Sequence, residues 1–154
     1  EYACLLHDVG HAPFSHTGEE FYLGPDSSRA ELHRTIAELT GDTQFENEIK
    51  LKNYAAAPHE LMSIIVALKS FPELFKNDED KSFFARCITG YLYVNDLNEQ
   101  KSFFNCMIEM LNSSVIDVDK LDYLIRDAYI TGFDTVSIDY TRLLRSVNLR
   151  RRKI

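Results

Sequence analysis

All-α is the fold class this sequence predicts. Three observations carry it: apolar residues recur at helical spacing along most of the chain, strand signals are few, and helix start and stop residues fall between the periodic runs. Residues 1–9 read as the end of a helix, broken by Gly10 and Pro13. Glu19 to Leu23 fits one further turn before Gly24-Pro25-Asp26. Ser28-Arg29-Ala30-Glu31 is a capping box, whose hydroxyl and carboxylate satisfy the first free N–H groups of a helix. That helix carries Leu32, Ile36 and Leu39 and stops near Gly41, with His33 expected on its surface. Residues 42–57 are polar and fit either a loop or a short helix; they are the expected mobile lid. Pro58 opens a helix with Leu61, Ile64, Ile65 and Leu68 at i, i+3, i+4 and i+7, ending before Phe71-Pro72 because the residue preceding proline leaves the helical region. Lys81 to Val94 follows, with Phe83, Phe84, Cys87, Ile88 and Leu92. Glu99 to Leu111 carries Phe103, Met107, Met110 and Leu111. The last elements run from Ile116 to Thr131 and from Asp139 to Val147. Tyr91 and Tyr93 read as core or rim aromatics.

At 154 residues the chain suits one domain that buries about two-thirds of its unfolded surface. The expected organisation is a single domain over 1–154, with 24–57 as an insertion or lid. Residue 1 is not Met, and Glu1-Tyr2-Ala3-Cys4-Leu5-Leu6 already reads as helix interior, so the expectation is a piece of a longer protein, cut at both ends. No apolar run approaches the ~20 residues of a membrane span, and there is no signal-peptide pattern. Cys4, Cys87 and Cys106 are scattered among apolar neighbours and read as free core thiols in a reducing compartment, so a cytoplasmic location is expected and no membrane partner. A net charge of −7 argues against duplex nucleic acid as a partner. The basic run Arg150-Arg151-Arg152-Lys153 is the exception and reads as a solvated helix end.

Chemistry-bearing residues gather in two places. His7-Asp8-Val9-Gly10-His11-Ala12-Pro13-Phe14-Ser15-His16 places three imidazoles and a carboxylate within ten residues, where a helix meets its breakers. Adjacent imidazole and carboxylate can grip one divalent metal while neighbouring imidazoles face a substrate. The second place is Ile116-Asp117-Val118-Asp119-Lys120-Leu121-Asp122-Tyr123-Leu124-Ile125-Arg126-Asp127. On a helix Asp119, Lys120, Tyr123, Arg126 and Asp127 fall within about 120° of one another, opposite an apolar face of Val118, Leu121, Leu124, Ile125 and Ala128. One face thus offers an acid for a metal, cations for phosphate charge, and hydroxyl and carboxylate groups for a sugar. A solvated face of charge pairs is the plainer alternative.

"LLHDVGHAPFSH", "IDVDKLDYLIRDAYITGFD" and "DYTRLL" resemble the signatures of the HD-domain metal phosphohydrolases, and within them the deoxynucleoside triphosphate triphosphohydrolase branch that includes bacterial dGTPases. The resemblance spans most of the chain, with Gly24 to Ala57 matching poorly. It implies an HD-domain helical bundle in which His7, Asp8 and Asp119 hold a metal (Fe, Mn, Zn, Co, Ni or Mg). The family's fourth ligand is a histidine on an earlier helix. His11 and His16 match phosphate-facing histidines. His59-Glu60 matches a His-Glu pair whose histidine serves in acid/base catalysis, and Glu19 matches the acid, Asp in the family, that orients it. Lys120 matches a phosphate ligand, while Tyr123 and Asp127 match residues that hold the sugar. Arg142 matches a regulatory-nucleotide contact of one branch. The implied activity is hydrolysis of a deoxynucleoside triphosphate to deoxynucleoside and inorganic triphosphate. Alternatives are hydrolysis of another nucleotide or phosphoester, or a nucleotide-binding regulatory module without activity. Implied partners are a nucleotide substrate, a nucleotide activator and further copies of the chain.

Overall fold

The computed structural model describes residues 1–21, 29–45, 56–95, 97–112, 118–132 and 139–146. Among these the secondary structure is helical, with no strand. In order come α1 (Tyr2–Leu6), a 3₁₀ turn (Ser15–Phe21), α2 (Arg29–Thr40), α3 (Pro58–Ser70), a second 3₁₀ turn (Pro72–Leu74), α4 (Asp78–Thr89), α5 (Glu99–Leu111), α6 (Val118–Thr131) and α7 (Tyr140–Ser146). The expected all-α class holds. None of the described helices is long and apolar enough to cross a membrane. The chain forms two compact units, Glu1–Val118 and Asp119–Ile154.

In the first unit α3 is central, packing on α1, α2, α4 and both 3₁₀ turns. Its predicted spacing puts Leu61, Ile64 and Leu68 in the core, where they meet Ile36 of α2, Phe84 and Ile88 of α4, and Ile108 of α5. The helix ends at Ser70 because Phe71, before Pro72, adopts φ −134°. α4 begins three residues earlier than its apolar spacing predicts. The Asn77 side chain accepts from the Asp80 N–H at 2.8 Å, and the acidic run Asp78-Glu79-Asp80 suits a helix N-terminus. It also ends earlier, at Thr89, because Gly90 takes φ 70° and caps it. α5 matches its predicted bounds, with Asn98 as cap. The Ser28 capping position and residues 46–55 lie outside the described residues, as does the basic run at 150–153.

In the first unit, three expectations about burial are corrected. His33 is not a surface residue but fully buried, because with Ile36, Ala37 and Thr40 it completes an i, i+3, i+4, i+7 stripe facing the core. Cys4 and Cys106 are exposed; of the three thiols only Cys87 is a core residue, and burial pushes its pKa up to about 12. On α5 the side chain that enters the core is Ile108, which leaves Phe103, Met107 and Met110 exposed. Tyr91 and Tyr93 are buried as expected.

Arg86 of α4 organises the polar part of this core. It is fully buried and donates from Nε and Nη2 to Asp42 Oδ2 at 3.1 and 2.8 Å, and from Nη1 to the Leu92 carbonyl at 3.0 Å. Its guanidinium lies 4.4 Å from the Tyr93 ring centre and 5.0 Å from that of Phe45. Burial pushes the Asp42 carboxyl up, but the Ser82 hydroxyl and the Arg86 charge outweigh it and hold the pKa below its ordinary value. Asp42 and Phe45, at the start of the segment expected as a lid, are therefore tied to the core.

In the second unit, α6 carries its polar residues at the predicted helical spacing, with an Arg126–Asp122 ion pair at 3.2 Å. Its expected core face is not buried: Leu124 and Ile125 are exposed, and Val118, Leu121 and Ala128 are half-buried. Asp139 precedes α7 and accepts from the Arg142 N–H at 2.9 Å.

Candidate active site

α1 ends at His7, and a tight turn reverses the chain through hydrogen bonds from the Val9 N–H to Leu6 and from the His11 N–H to Asp8. Gly10 seats this turn on α3. Its N–H donates to the Ser63 hydroxyl at 2.8 Å, and a Cβ at residue 10 would fall 2.2 Å from the Ser63 backbone nitrogen. Ser63 was not among the sequence candidates. Its signal is a small polar residue inside the apolar run Leu61-Met62-Ser63-Ile64-Ile65.

Beyond His11, Phe14 and Ser15 take left-handed backbone angles, φ 71° and 54°. Such angles are strained for residues with a side chain, and here they fold the 3₁₀ turn back over Ala12-Pro13. Gly18 permits that closeness, since a Cβ there would lie 2.3 Å from the Pro13 carbonyl oxygen. The reversal carries His16 and Glu19 to His11 and to His59, which stands in the first turn of α3.

The resulting group is tight. Glu19 Oε1 accepts from His59 Nδ1 and from His16 Nδ1, each at 2.6 Å. The His11 and His59 rings stack with centres 4.0 Å apart and planes 13° from parallel, and His16 meets both edge-on at about 5 Å. Burial favours the neutral Glu19 carboxyl, but the bonds from His16 and His59 outweigh it and lower its pKa, which keeps it ionised at neutral pH. His11 is also lowered, by loss of water first and then by the adjacent His59. Its Nδ1 is buried and meets no hydrogen-bond partner among the described residues. One ligand atom each from His11, His16, Glu19 and His59 lies within 4.8 Å of the others, so the group could hold a metal.

The His7–Asp8 pair stands beside this group through Asp8, whose Oδ1 is 3.5 Å from His11 Nε2. His7 Nδ1 donates to the Cys4 carbonyl at 3.0 Å, which leaves the lone pair of the neutral ring on Nε2, 3.3 Å from Asp8 Oδ2. That separation suits adjacent donors on one ion with bonds of about 2.0–2.1 Å, and the carbonyl plays the orienting part that ligand histidines usually have. The pair fits a metal.

Glu60 is placed differently from the other candidates. Its Oε2 accepts from the Ala57 N–H at 2.6 Å, closing the N-terminus of α3 beneath His59, and burial raises its pKa. Asp119, Lys120, Tyr123 and Asp127 lie on α6 in the second unit, Lys120 and Tyr123 half-buried and the two acids exposed.

Comparison with known proteins gives relatives along nearly the whole chain. It is 30% identical over 153 residues to the uncharacterized protein YwfO of Bacillus subtilis, covering 99% of this chain and 26% of that protein. It is 29% identical over 145 residues to the deoxynucleoside triphosphate triphosphohydrolase SAMHD1 homolog of Dictyostelium discoideum, covering 92% and 22%. To the deoxynucleoside triphosphate triphosphohydrolase SAMHD1 of Bos taurus it is 30% identical over 151 residues, covering 93% and 23%. The chain thus spans about a quarter of the length of these relatives. No family model and no solved structure matches.

Proposed function

We propose that this chain is the metal-binding part of a phosphohydrolase that converts a deoxynucleoside triphosphate to deoxynucleoside and inorganic triphosphate. The observation that carries the reading is the Glu19–His59 contact of 2.6 Å, next to a His7–Asp8 pair arranged for a metal. Two relatives named as triphosphohydrolases support the substrate class.

In this reading Glu19, ionised and bonded to Nδ1, stabilises the imidazolium of His59. His59 Nε2–H then gives its proton to the sugar 5′ oxygen as water attacks the α-phosphorus, the bond from that phosphorus to the 5′ oxygen breaks, and the attacking water loses a proton to solvent. His11 and His16 border that position and take up phosphate charge as it builds. Glu60 acts as a positioning residue, closing the helix end that presents His59. His7 and Asp8 hold the metal, joined by Asp119 on the strength of its sequence motif. The same motif assigns Lys120 to phosphate and Tyr123 and Asp127 to the sugar. A divalent ion (Fe, Mn, Zn, Co, Ni or Mg) supplies Lewis-acid polarisation of the phosphoryl group. A nucleotide activator and assembly into a homo-oligomer belong to the same reading.

The test is anion chromatography of products after the longest natural form of the protein, loaded with each metal, meets a mixed dNTP pool with and without added nucleotide activators. Inorganic triphosphate is the expected product. Monophosphate or pyrophosphate would move the reading to another phosphoester, and no turnover under every condition would refute a hydrolase.

A further inference from the structure

Beyond the metal held by the His-Asp pair, we propose a second transition-metal site, formed by His11, His16, Glu19 and His59 and selective for an ion such as Zn²⁺. Three features of the group point there. Glu19 Oε1, His16 Nδ1 and His59 Nδ1 converge on one another, with both N···O separations at 2.6 Å. His11 Nδ1 is a buried nitrogen without a partner among the described residues, and its ring lies against that of His59. One ligand atom from each of the four residues already lies within 4.8 Å of the others, all on one compact unit.

An ion entering here takes the place of the hydrogens between Oε1 and the two Nδ1 atoms, and each neutral ring carries its proton on Nε2 instead. The donors then separate from 2.6 Å to roughly the 3.3 Å edge of a tetrahedron with bonds near 2.0 Å, while His11 swings in as the fourth ligand. With ligand atoms at most 4.8 Å apart, relative shifts of up to about 1.5 Å reach that edge. Three imidazoles and one carboxylate suit Zn²⁺ or Co²⁺ better than Mg²⁺, which prefers oxygen. Glu19 supports the assignment: its single oxygen reaches both His16 and His59, so the carboxylate already gathers two of the three rings. One consequence rests on the hydrolase reading: an ion on Nδ1 of His59 separates it from Glu19, so excess Zn²⁺ stops turnover.

The experiment uses Co²⁺ as probe on the full chain, with the variant Asp8→Asn removing the other metal position. Asp8→Asn should still bind one equivalent of Co²⁺ and show the intense visible absorption of a tetrahedral ion. Adding His16→Asn, at an exposed position where folding is undisturbed, should weaken binding roughly tenfold or more and abolish that absorption. Calorimetry with Zn²⁺ on the same variants, and circular dichroism to confirm folding, complete the set. Unchanged Co²⁺ affinity in the double variant, or a weak octahedral spectrum in Asp8→Asn, would overturn the site. Binding together with no dNTP turnover in the longest natural form, even at metal levels too low to fill this site, would leave the site standing and remove the hydrolase reading. Turnover without tetrahedral Co²⁺ binding would do the reverse.

Discussion

Lowering the pH from 7 to 5 is expected to take about 2 kcal/mol from the folded chain through one side chain, His33. The ring is fully buried on α2 and stacked on Tyr91 with centres 6.0 Å apart. Neither ring nitrogen meets a hydrogen-bond partner among the described residues. Loss of water, and then the nearby Arg29 charge, bring its pKa from 6.5 to about 4. Between those values the unfolded chain binds a proton that the folded chain refuses. The stability of the neutral buried ring is therefore present above pH 6.5 and lost as pH falls towards 4. Fully expressed the difference is about 3 kcal/mol, of which about 2 is lost by pH 5. His33→Leu removes the titration and, with no hydrogen bond given up, should be close to neutral at pH 7. Urea unfolding of both chains at pH 7 and pH 5 isolates the effect from every other acidic group. The natural chain should lose about 2 kcal/mol more than His33→Leu. Equal losses would show that the ring is hydrated or protonated in the fold, and the reasoning would fail.

Four further outcomes are expected. Arg86→Met leaves the half-buried Asp42 carboxylate without its guanidinium and should lower stability by about 3–5 kcal/mol in urea unfolding. Gly10→Ala pushes a methyl against the α3 backbone at Ser63; about 1–3 kcal/mol of stability should go, with weaker divalent-metal binding by calorimetry on the proposed metal reading, and an unaffected stability would disprove the seating of the turn. Thiol titration of the folded chain at pH 8 should find Cys4 and Cys106 reacting quickly and Cys87 only after unfolding, since its pKa is about 12. On the proposed hydrolase reading, Glu19→Gln should slow triphosphate release about a hundredfold at pH 7, because an amide cannot stabilise the His59 imidazolium; a rate within a factor of about two would remove Glu19 from the proposed acid/base pair.

Local physics made much of this molecule legible beforehand. Proline at residue 58, the Phe71-Pro72 stop and the spacing of Leu61, Ile64 and Leu68 define α3 almost to the residue, because each acts within one or two helical turns. The His7 to His16 segment was marked by composition alone, and Glu19 and His59 by resemblance of short motifs. Arg86 escaped notice because a lone arginine among apolar residues signals nothing until Asp42, 44 residues away in sequence, lies against it. Ser63 carries only a faint local signal, a small polar residue in an apolar run, because its partner, the Gly10 N–H, is 53 residues away in sequence. His33 is legible within its own helix, because it completes the stripe of Ile36, Ala37 and Thr40, although its polarity alone suggests the surface.

What the chain determined by itself is its helical class, most helix bounds and the short runs rich in metal-binding and proton-carrying groups, all set by propensities and caps acting over a few residues. Only the tertiary structure decided that one Glu19 oxygen bonds two histidines drawn from different elements. It likewise decided that Arg86 is buried whole against Asp42. Those outcomes depend on distances between residues about 40 positions apart in sequence, and such distances come from packing rather than from any local rule.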